Sequence, residues 1–422
     1  MKDIVKHKLK DVVIPDMVKV RQTFDCEYIR DIEEAVTEQL SKSHIIDTIK
    51  PDMRIAITCG SRGISNINVM IKQMVEIIRS KGAHPFMIPA MGSHGGATAL
   101  GQKAVLEELG ITEAFCGCPV LSSMEVVKIG ETSEGHDVVI DKNAAEADGV
   151  IVVNRIKAHT GFVAPYESGL MKMMTIGMGK QAGAEICHQL GPSHMPKMIP
   201  LIGNVILEKA NILFGLAILE NAYKKPYKIQ ALTKNEIRKE EPGLLREAKK
   251  LMPRLLFDNI DILIVDEIGK EISGNGMDPN VTGRFLSGCV AKNIHIKRIV
   301  VLGLSKKTKG NAVGIGAADF ITKKVFNSIN LDTTYPNAIT STAINTVSIP
   351  MMLNNDEEAI KAALKTCNVA REEKRVVRIK NTMRIDEIYI SSCMLEEAQH
   401  NKKILVIGKK LKMQFDKSGF LV

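Results

Sequence analysis

The sequence of residues 54–63 is RIAITCGSRG, and this pattern decides the fold. Residues 54–58 are rich in apolar and β-branched side chains, which predicts a buried strand. A glycine-rich turn around Arg62 follows, and then a stretch with helical periodicity at residues 65–81. A strand that ends in such a turn and leads into a helix is typical of a parallel sheet covered by helices.

The same alternation of short apolar runs and helical stretches extends along the chain. The predicted strands are residues 54–58, 85–89, 138–140, 149–156, 212–219, 260–265, 296–302, 387–390 and 404–407. Further predicted helices are residues 98–109, 317–326 and 356–366. We therefore predict an α/β protein with two α/β domains, mostly parallel sheets and an active-site cleft between the domains.

The charged stretch at residues 224–254 contains Pro242-Gly243 and divides the two series. Its mixed charges at helical spacing indicate exposed helices near a domain boundary. We predict an N-terminal, ligand-binding domain of residues 1–255, joined by the C-terminal segment 400–422. Residues 256–399 are predicted to form the second domain.

Composition narrows the function classes. Hydrophobic residues make up 45% of the 422 residues and mean hydropathy is +0.01, which excludes wholesale disorder. The net charge is +9, but the basic residues are dispersed and have few aromatic neighbours. This pattern does not favour nucleic-acid binding, whereas a small anionic ligand fits it.

The cysteine pattern and the termini bear on location. Eight cysteines form no Cys-x-x-Cys pair, and the nearest two are Cys116 and Cys118, so we expect reduced thiols. The first ten residues lack the apolar core of a signal peptide, and the longest apolar runs are too short for a membrane span. We expect a cytoplasmic protein without a membrane role.

Two glycine-rich turns follow predicted strands. The first carries Arg62 and the second, at residues 92–96, carries His94. Backbone N–H groups and helix N-termini at such turns bind anions in doubly wound sheets. Neither turn has a Walker A or dinucleotide-binding pattern. The alternative is that the glycines serve only the backbone conformation of a tight turn.

A third concentration of reactive side chains begins at the end of the strand at residues 149–156. His159 is followed by a loop of glycine and small polar residues, then by Lys172 among leucine and methionine, and by His188. Desolvation would lower the pKa of Lys172 and favour nucleophilic chemistry. The alternative is a lysine that extends along a helix edge to solvent.

The histidines can act as a pair. His94 and His159 are both predicted at carboxyl ends of strands, where two imidazoles that face one ligand could exchange protons with it. His188 remains for another role, and a neutral imidazole suits nickel, zinc or copper. No second metal-ligating residue lies at a conventional spacing from His188 in the sequence.

At these residues the sequence resembles the nickel-pincer-nucleotide lactate racemase family and related 2-hydroxy-acid racemases and epimerases. The matching features are the arginine turn at residues 60–63, the Gly-Ser-His turn at residues 92–94, His159, and Lys172 with His188 sixteen positions later. The Lys-to-His spacing is the most specific of these features.

The resemblance implies a role for each matching residue. Lys172 would hold the pyridinium mononucleotide through a thioamide, and His188 would complete the nickel site beside the cofactor's sulfur, carbon and sulfur ligands. His94 and His159 would alternate as acid and base at the substrate hydroxyl. The turn of Ser61, Arg62 and Gly63 would lie near the cofactor. Proteins that synthesise the cofactor are implied as partners.

Two departures from the family pattern bear on the substrate. Cys59 and Gly60 occupy the region where the family carries an aspartate, and the family's substrate-holding lysine has only Lys270 as a candidate. After Lys270 come Ser273, Asn275, Asp278 and Asn280, which are either a polar loop or groups that recognise hydroxyls. We therefore favour a sugar acid such as gluconate as the substrate. The alternative is lactate or a related short 2-hydroxy acid.

Two further hypotheses use different chemistry. An NAD(P)-dependent 2-hydroxy-acid oxidoreductase would share the sheet, but it gives Lys172 and His188 no role. A protein that only carries a nucleotide or metal would retain its cofactor after loss of His94 and His159.

Overall fold

The computed structural model describes residues 4–42, 45–286 and 295–422. The chain forms two compact units. The N-terminal unit is Asp25–Met252, and the C-terminal unit combines Met1–Phe24 with Pro253–Val422.

Strands and helices alternate along most of the described chain. The strands are β1 (Met17–Gln22), β2 (Arg54–Cys59), β3 (His84–Pro89), β4 (Val126–Glu131), β5 (Asp137–Asp141), β6 (Gly149–Arg155), β7 (Ile212–Glu220), β8 (Pro226–Thr233), β9 (Ile260–Val265), β10 (Ile296–Val301), β11 (Phe320–Thr322), β12 (Met351–Leu353), β13 (Val376–Ile379), β14 (Glu387–Ser391) and β15 (Ile404–Val406).

The α-helices are α1 (Ile4–Leu9), α2 (Ile32–Lys42), α3 (Ile67–Ser80), α4 (Ala99–Glu108), α5 (Glu113–Cys116), α6 (Lys142–Ala145), α7 (Leu170–Lys172), α8 (Lys180–His188), α9 (Met195–Lys209), α10 (Lys234–Leu251), α11 (Pro279–Thr282), α12 (Lys323–Asn327), α13 (Leu331–Ser341), α14 (Asp356–Thr366) and α15 (Leu395–His400). A π-helical turn, Met173–Gly177, follows α7 and precedes α8. Short 3₁₀ turns lie at Ile45–Thr48, Gly95–Ala97, Pro192–His194, Lys306–Thr308, Ile315–Ala317, Ile344–Val347 and Ser392–Met394.

The main sheet of the N-terminal unit has the strand order β3-β2-β6-β7-β8. The pairs β2–β3, β2–β6 and β6–β7 are parallel, and β8 runs antiparallel at the edge. Residues 55–59 of β2 are buried in succession, as expected for a parallel strand with both faces covered. Helix α3 packs on one face through side chains such as Met70, Met74 and Ile78, which share one stripe of the helix.

The sheet of the C-terminal unit has the order β12-β11-β10-β9-β13-β14-β1-β15 in the described residues. Its β9, β10, β11, β12 and β13 pair in parallel, while β14, β1 and β15 pair antiparallel. All six residues of β9 are buried, which places this strand in the core of the unit. The mixed, mostly parallel α/β architecture predicted from the sequence is confirmed.

The placement of the chain ends differs from the predicted domains. The C-terminal segment 400–422 belongs to the C-terminal unit, where β15 pairs with β1 and Leu411 bonds to Met17. Residues 1–24 belong there as well, since β1 also pairs with β14. Antiparallel pairing between strands more than 360 residues apart brings both segments into this unit.

Two predicted elements also need correction. The helix expected at residues 317–326 contains β11, and α12 begins only at Lys323 after a cap by Thr322. The charged stretch at residues 224–254 is the edge strand β8 followed by the single helix α10. Helix α10 begins with a capping box between Thr233 and Glu236.

Pro242 lies inside α10 without ending it. A proline removes the N–H that would bond to the carbonyl four residues earlier, here that of Arg238. The Tyr166 hydroxyl donates a hydrogen bond of 2.6 Å to this carbonyl and replaces the missing donor. The helix therefore continues as one element along the N-terminal unit.

In the described ranges, the longest helices are too polar or too short to cross a membrane.

A matched pair of substitutions tests the core of the N-terminal unit. Leu216, in β7, is fully buried, whereas Leu100, in α4, is 83% exposed. We expect Leu216→Ala to lower the free energy of unfolding by about 2–5 kcal/mol because it leaves a cavity. Leu100→Ala should change it by about 0.5 kcal/mol or less. Urea unfolding followed by circular dichroism measures both, and equal effects would contradict this core.

Candidate active site

The carboxyl ends of β2, β3 and β6 lie at one edge of the N-terminal sheet because these strands are parallel. The Arg62 turn follows β2, the His94 turn follows β3 and His159 follows β6. Strand β2 lies between the other two, so the two histidine-bearing strands flank the arginine-bearing one. This edge is the ligand-binding position of doubly wound sheets.

The first two turns contact each other through side chains. The Ser61 hydroxyl and the His94 Nδ1 form a short hydrogen bond. Gly92 has a positive φ of 61°, which favours glycine, and its N–H donates to the Gly177 carbonyl at 3.2 Å. His94 and Arg62 are both exposed at the sheet edge, and Gly63 follows in the same exposed turn.

The loop that carries His159 is closed at its base by paired backbone bonds of 2.9 and 3.2 Å between Lys157 and Ser168. Inside it, the buried Glu167 carboxylate accepts the His159 backbone N–H at 2.7 Å and the Ala164 N–H at 3.0 Å. Lys249 of α10 neutralises this carboxylate at 2.5 Å. The loop is therefore held internally and to α10.

The His159 ring is oriented by two contacts. Its Nδ1 accepts the Gly161 N–H at 3.0 Å, so the neutral ring carries its proton on Nε2. The ring stacks on Phe162 with centroids 4.2 Å apart. Burial lowers the pKa of His159 well below its ordinary value, and the positive charge of Lys172 lowers it further. The ring is therefore neutral at pH 7.

Lys172 lies at the end of α7, where the π-helical turn begins. Its ammonium nitrogen is 5.7 Å from the centre of the Phe162 ring. Burial lowers the pKa of Lys172 to about 8. The positive charges of Lys157 and Arg62 act in the same direction. At pH 7 roughly a tenth of this amine is therefore unprotonated, and this neutral fraction is nucleophilic.

His188 is the last residue of α8, where part of its surface is exposed and part of the ring is covered by the protein. Partial burial of its ring lowers the pKa of His188, and the charge of Lys172 lowers it further. A neutral imidazole is the form that binds a transition metal. Thus Arg62, His159, Lys172 and His188 lie close enough for their charges to influence one another.

Glu241 of α10 supports the start of the Lys172 helix. Its buried carboxyl group accepts the backbone N–H of Met171 at 3.0 Å and that of Leu170. A side chain on Gly169 would collide with this carboxyl group, since a Cβ there would lie 2.1 Å from its Oε1. Burial raises the pKa of Glu241 to about 8.

The predicted substrate-binding residues lie in the C-terminal unit. Lys270 is exposed and Asn275 is half-buried. Ser273 is buried, and its hydroxyl accepts the Asn275 N–H at 3.4 Å. Asp278 caps α11 and also bonds to the Asn280 side chain. Several polar groups of this loop therefore form hydrogen bonds within the C-terminal unit.

Cys59 and Gly60 occupy the region where the resembled family carries an aspartate, and Cys59 is the one of the two with a titratable side chain. Its side chain is buried, and burial raises the pKa of the thiol, as do the neighbouring Cys116 and Cys118 thiols. Cys59 therefore stays neutral and supplies no carboxylate to the site. The seven cysteines described are free, and no group of three or more His, Cys, Asp or Glu in that part of the chain could hold a metal ion.

Sequence reasoning missed Phe162, Glu167 and Glu241. Phe162 is an apolar residue inside a loop of small polar residues, which is an available but weak signal. The two glutamates resemble surface charges in the sequence, and only tertiary contacts identify them as buried.

Comparison with known proteins bears on the fold and on the N-terminal part of the chain. Residues 3–196, a little under half of the chain, match the family model of the lactate racemase N-terminal domain. A solved structure of the lactate racemase apoprotein from Thermoanaerobacterium thermosaccharolyticum aligns over 92% of this chain and 96% of its own, with 14% identity and a TM-score of 0.51. A Thermotoga maritima protein aligns over 84% of this chain and 97% of its own, with 12% identity and a TM-score of 0.51. No curated protein matches the chain significantly in sequence.

The fold and the sheet edge thus define a two-unit α/β protein with the lactate racemase fold. Through residues 3–196 the chain is similar in sequence to the lactate racemase N-terminal domain, and the likeness of the remainder is one of fold alone. This N-terminal similarity favours a racemase-type activity, within the isomerase class.

The lowered pKa of Lys172 predicts selective acylation of the protein without cofactor. We expect competitive acetylation of Lys172 to rise with pH with a midpoint near 8, because burial favours the neutral amine. Exposed lysines should follow the ordinary value of about 10.4. Peptide mass spectrometry measures each site, with Lys172→Arg identifying the peptide. In 8 M urea the difference should vanish, and a midpoint above 10 in the folded protein would contradict the prediction.

The raised pKa of Glu241 predicts a pH-dependent stability. The carboxyl group is neutral in the folded protein up to about pH 8 but ionises near 4.5 when unfolded. Its stabilising contribution is therefore complete below about pH 4.5 and is lost as pH rises through 8. At about 1.4 kcal/mol per pKa unit, the loss is at most about 5 kcal/mol.

Urea unfolding of the wild type and Glu241→Gln between pH 4.5 and 9 measures this contribution. The wild type should lose stability relative to the variant as pH rises, since the amide does not ionise. Parallel pH profiles would refute the assignment.

Proposed function

We propose that this protein inverts C2 of an α-hydroxy acid with a nickel-pincer nucleotide attached to Lys172. The observation that carries this proposal is the desolvated Lys172 amine beside His159, with His188 and Arg62 coupled to the same cluster. A nucleophilic amine, two neutral imidazoles and fixed positive charges suit a phosphate-bearing cofactor and a carboxylate substrate.

The chemistry of the side chains fits this cofactor. Lys172 would hold it through a thioamide, which requires the neutral amine that burial favours. His188 would supply an imidazole ligand to nickel, and a cofactor that brings its own donors needs only this one from the chain. Ser61, Arg62 and Gly63 form the exposed turn at the same edge, where Arg62 adds positive charge for a phosphate or carboxylate.

The histidines would handle the proton of the substrate hydroxyl. His159 is neutral at pH 7 and carries its proton on Nε2, so it would give this proton to the substrate oxygen when it acts as the acid. His94, bonded to Ser61 through Nδ1, would serve the opposite side of the substrate. The bound cofactor would supply reversible hydride acceptance at C2.

The substrate class is a 2-hydroxy acid. Ser273 and Asp278 each accept a hydrogen bond within the C-terminal unit, and the proposed substrate is a sugar acid such as gluconate, with lactate or a related short 2-hydroxy acid as the alternative. Lys270 and Asn275 remain candidates for binding the substrate. Proteins that synthesise the cofactor are the proposed partners.

Cofactor attachment is tested on protein co-expressed with the cofactor-making enzymes. We expect intact-protein mass to increase by a nucleotide-sized adduct, accompanied by nickel. Both should be lost in Lys172→Ala, while His188→Ala should lose nickel and keep the adduct. Lys103→Ala is the matched control, because it removes a lysine of α4 whose side chain is 40% exposed. A bare mass with no nickel, beside a known family member that loads normally, would reject the proposal.

Turnover is tested with the enantiomers of lactate and the C2 epimers of aldonates, gluconate included. We expect inversion without net redox change and, in D₂O, without deuterium at C2. His94→Ala and His159→Ala should each lower kcat by about 10²-fold or more while keeping the adduct. NAD(P)H formation would instead favour an oxidoreductase, and full activity of both variants would exclude the two-base mechanism.

A further inference from the structure

A buried lysine that the proposed chemistry does not use lies within residues 170–188. Lys180 begins α8 with a positive φ of 55°, and its side chain is fully buried. A left-handed conformation strains a non-glycine residue, and a buried ammonium is strongly destabilising unless it is paired. Both costs require specific contacts.

The Lys180 ammonium has three such contacts. It lies 2.9 Å from the buried Asp141 carboxylate, donates to the Pro89 carbonyl at 2.5 Å and donates to Gln102 Oε1 at 3.2 Å. Asp141 compensates the charge and opposes the lowering of the Lys180 pKa by burial. Pro89 is the last residue of β3, so the ammonium is bound to the end of that strand.

Gln102 extends this contact to the His94 turn. Its side chain is fully buried, and its Nε2 donates to the Gly92 carbonyl at 2.8 Å and to the His94 carbonyl at 3.2 Å. An ammonium cannot accept a hydrogen bond, so Lys180 fixes the Oε1 of Gln102 towards itself and the Nε2 towards the turn. Each polar atom of the amide therefore has a defined partner.

We propose that Lys180 and Gln102 are positioning residues that hold the His94 turn in place relative to residues 172–188. We call Lys180 together with Gln102 the strut. Its role in catalysis rests on the proposed function, because His94 would act on a substrate bound beside Lys172. A displacement of about 1 Å in such a site can cost about 10²-fold in rate. The strut connects the two segments without touching the reacting atoms.

Gln102→Glu tests the strut at nearly constant shape. The carboxylate still accepts from Lys180, but it cannot donate to the Gly92 and His94 carbonyls. Hydrogen exchange followed by mass spectrometry on the protein without cofactor reports the turn directly. We expect exchange of the amides in residues 92–98 to rise by about tenfold or more, whereas α3 and α10 keep wild-type rates. Lys103→Ala changes the neighbouring residue of α4, whose side chain is 40% exposed, and should leave exchange in residues 92–98, α3 and α10 at wild-type rates.

A second variant covers the case in which the new carboxylate prevents folding. Gln102→Leu removes the donor without adding a charge, and it should loosen residues 92–98 in the same way. Unchanged exchange in these residues in a folded variant, or a rise spread equally over the N-terminal unit, would overturn the strut. A merely structural role produces the second pattern.

Activity distinguishes this inference from the proposed function. In the loaded enzyme, Gln102→Glu should lower kcat by about tenfold or more, with KM and adduct mass unchanged. A loosened turn with wild-type kcat would overturn the positioning role and leave the racemase proposal standing. If the wild type carries no adduct and has no turnover, the proposed function fails, and the exchange pattern alone decides whether the strut holds the turn.

Discussion

The parallel pairing of β2 with β3 on one side and β6 on the other is the constraint on which the candidate site depends. Because the three strands run in one direction, their carboxyl ends lie at the same edge, and the three turns that follow them meet there. Arg62, His94 and His159 are far apart in sequence and come together only through this pairing. Buried apolar side chains on both faces keep the strands in register, so the core of the sheet also determines the geometry of the site.

Helix α10 supplies the second level of support. Tyr166 bonds to the Arg238 carbonyl, Lys249 neutralises Glu167, and Glu241 binds the first N–H groups of the Lys172 helix. The proline inside α10 is part of this arrangement, because it has no N–H for the Arg238 carbonyl and so leaves this carbonyl to accept from Tyr166. The His159 loop and the Lys172 helix are thus attached to one rigid element. Loops attached in this way can carry reactive side chains without losing their orientation.

Local pattern predicted the central strands and placed His159, Lys172 and His188 in one short span, because continuous apolar runs and short spacings are local properties. It could not assign the chain ends, because β1 is selected by β14 and β15 through pairing over hundreds of residues. It also treated residues 224–254 as exposed, since charges usually lie on the surface. Glu241 and Lys180 are exceptions because tertiary contacts satisfy them, and no local pattern encodes those contacts.

The electrostatics of the cluster explain why its groups are poised for an anion. Lys172, Lys157 and Arg62 place positive charge beside His159, and burial weakens the solvation that would stabilise further charge. Protonating His159 would add a positive charge to this surrounding, so the ring stays neutral. The same field stabilises a carboxylate or phosphate placed among these groups. An anion would in turn raise the pKa values of the neighbouring lysine and histidine, because it favours their charged forms. Anion binding and proton transfer by the His159 imidazole are therefore coupled by charge. Attachment of a group to Lys172 requires the neutral amine, and the neutral fraction of this amine is larger before an anion binds than after it.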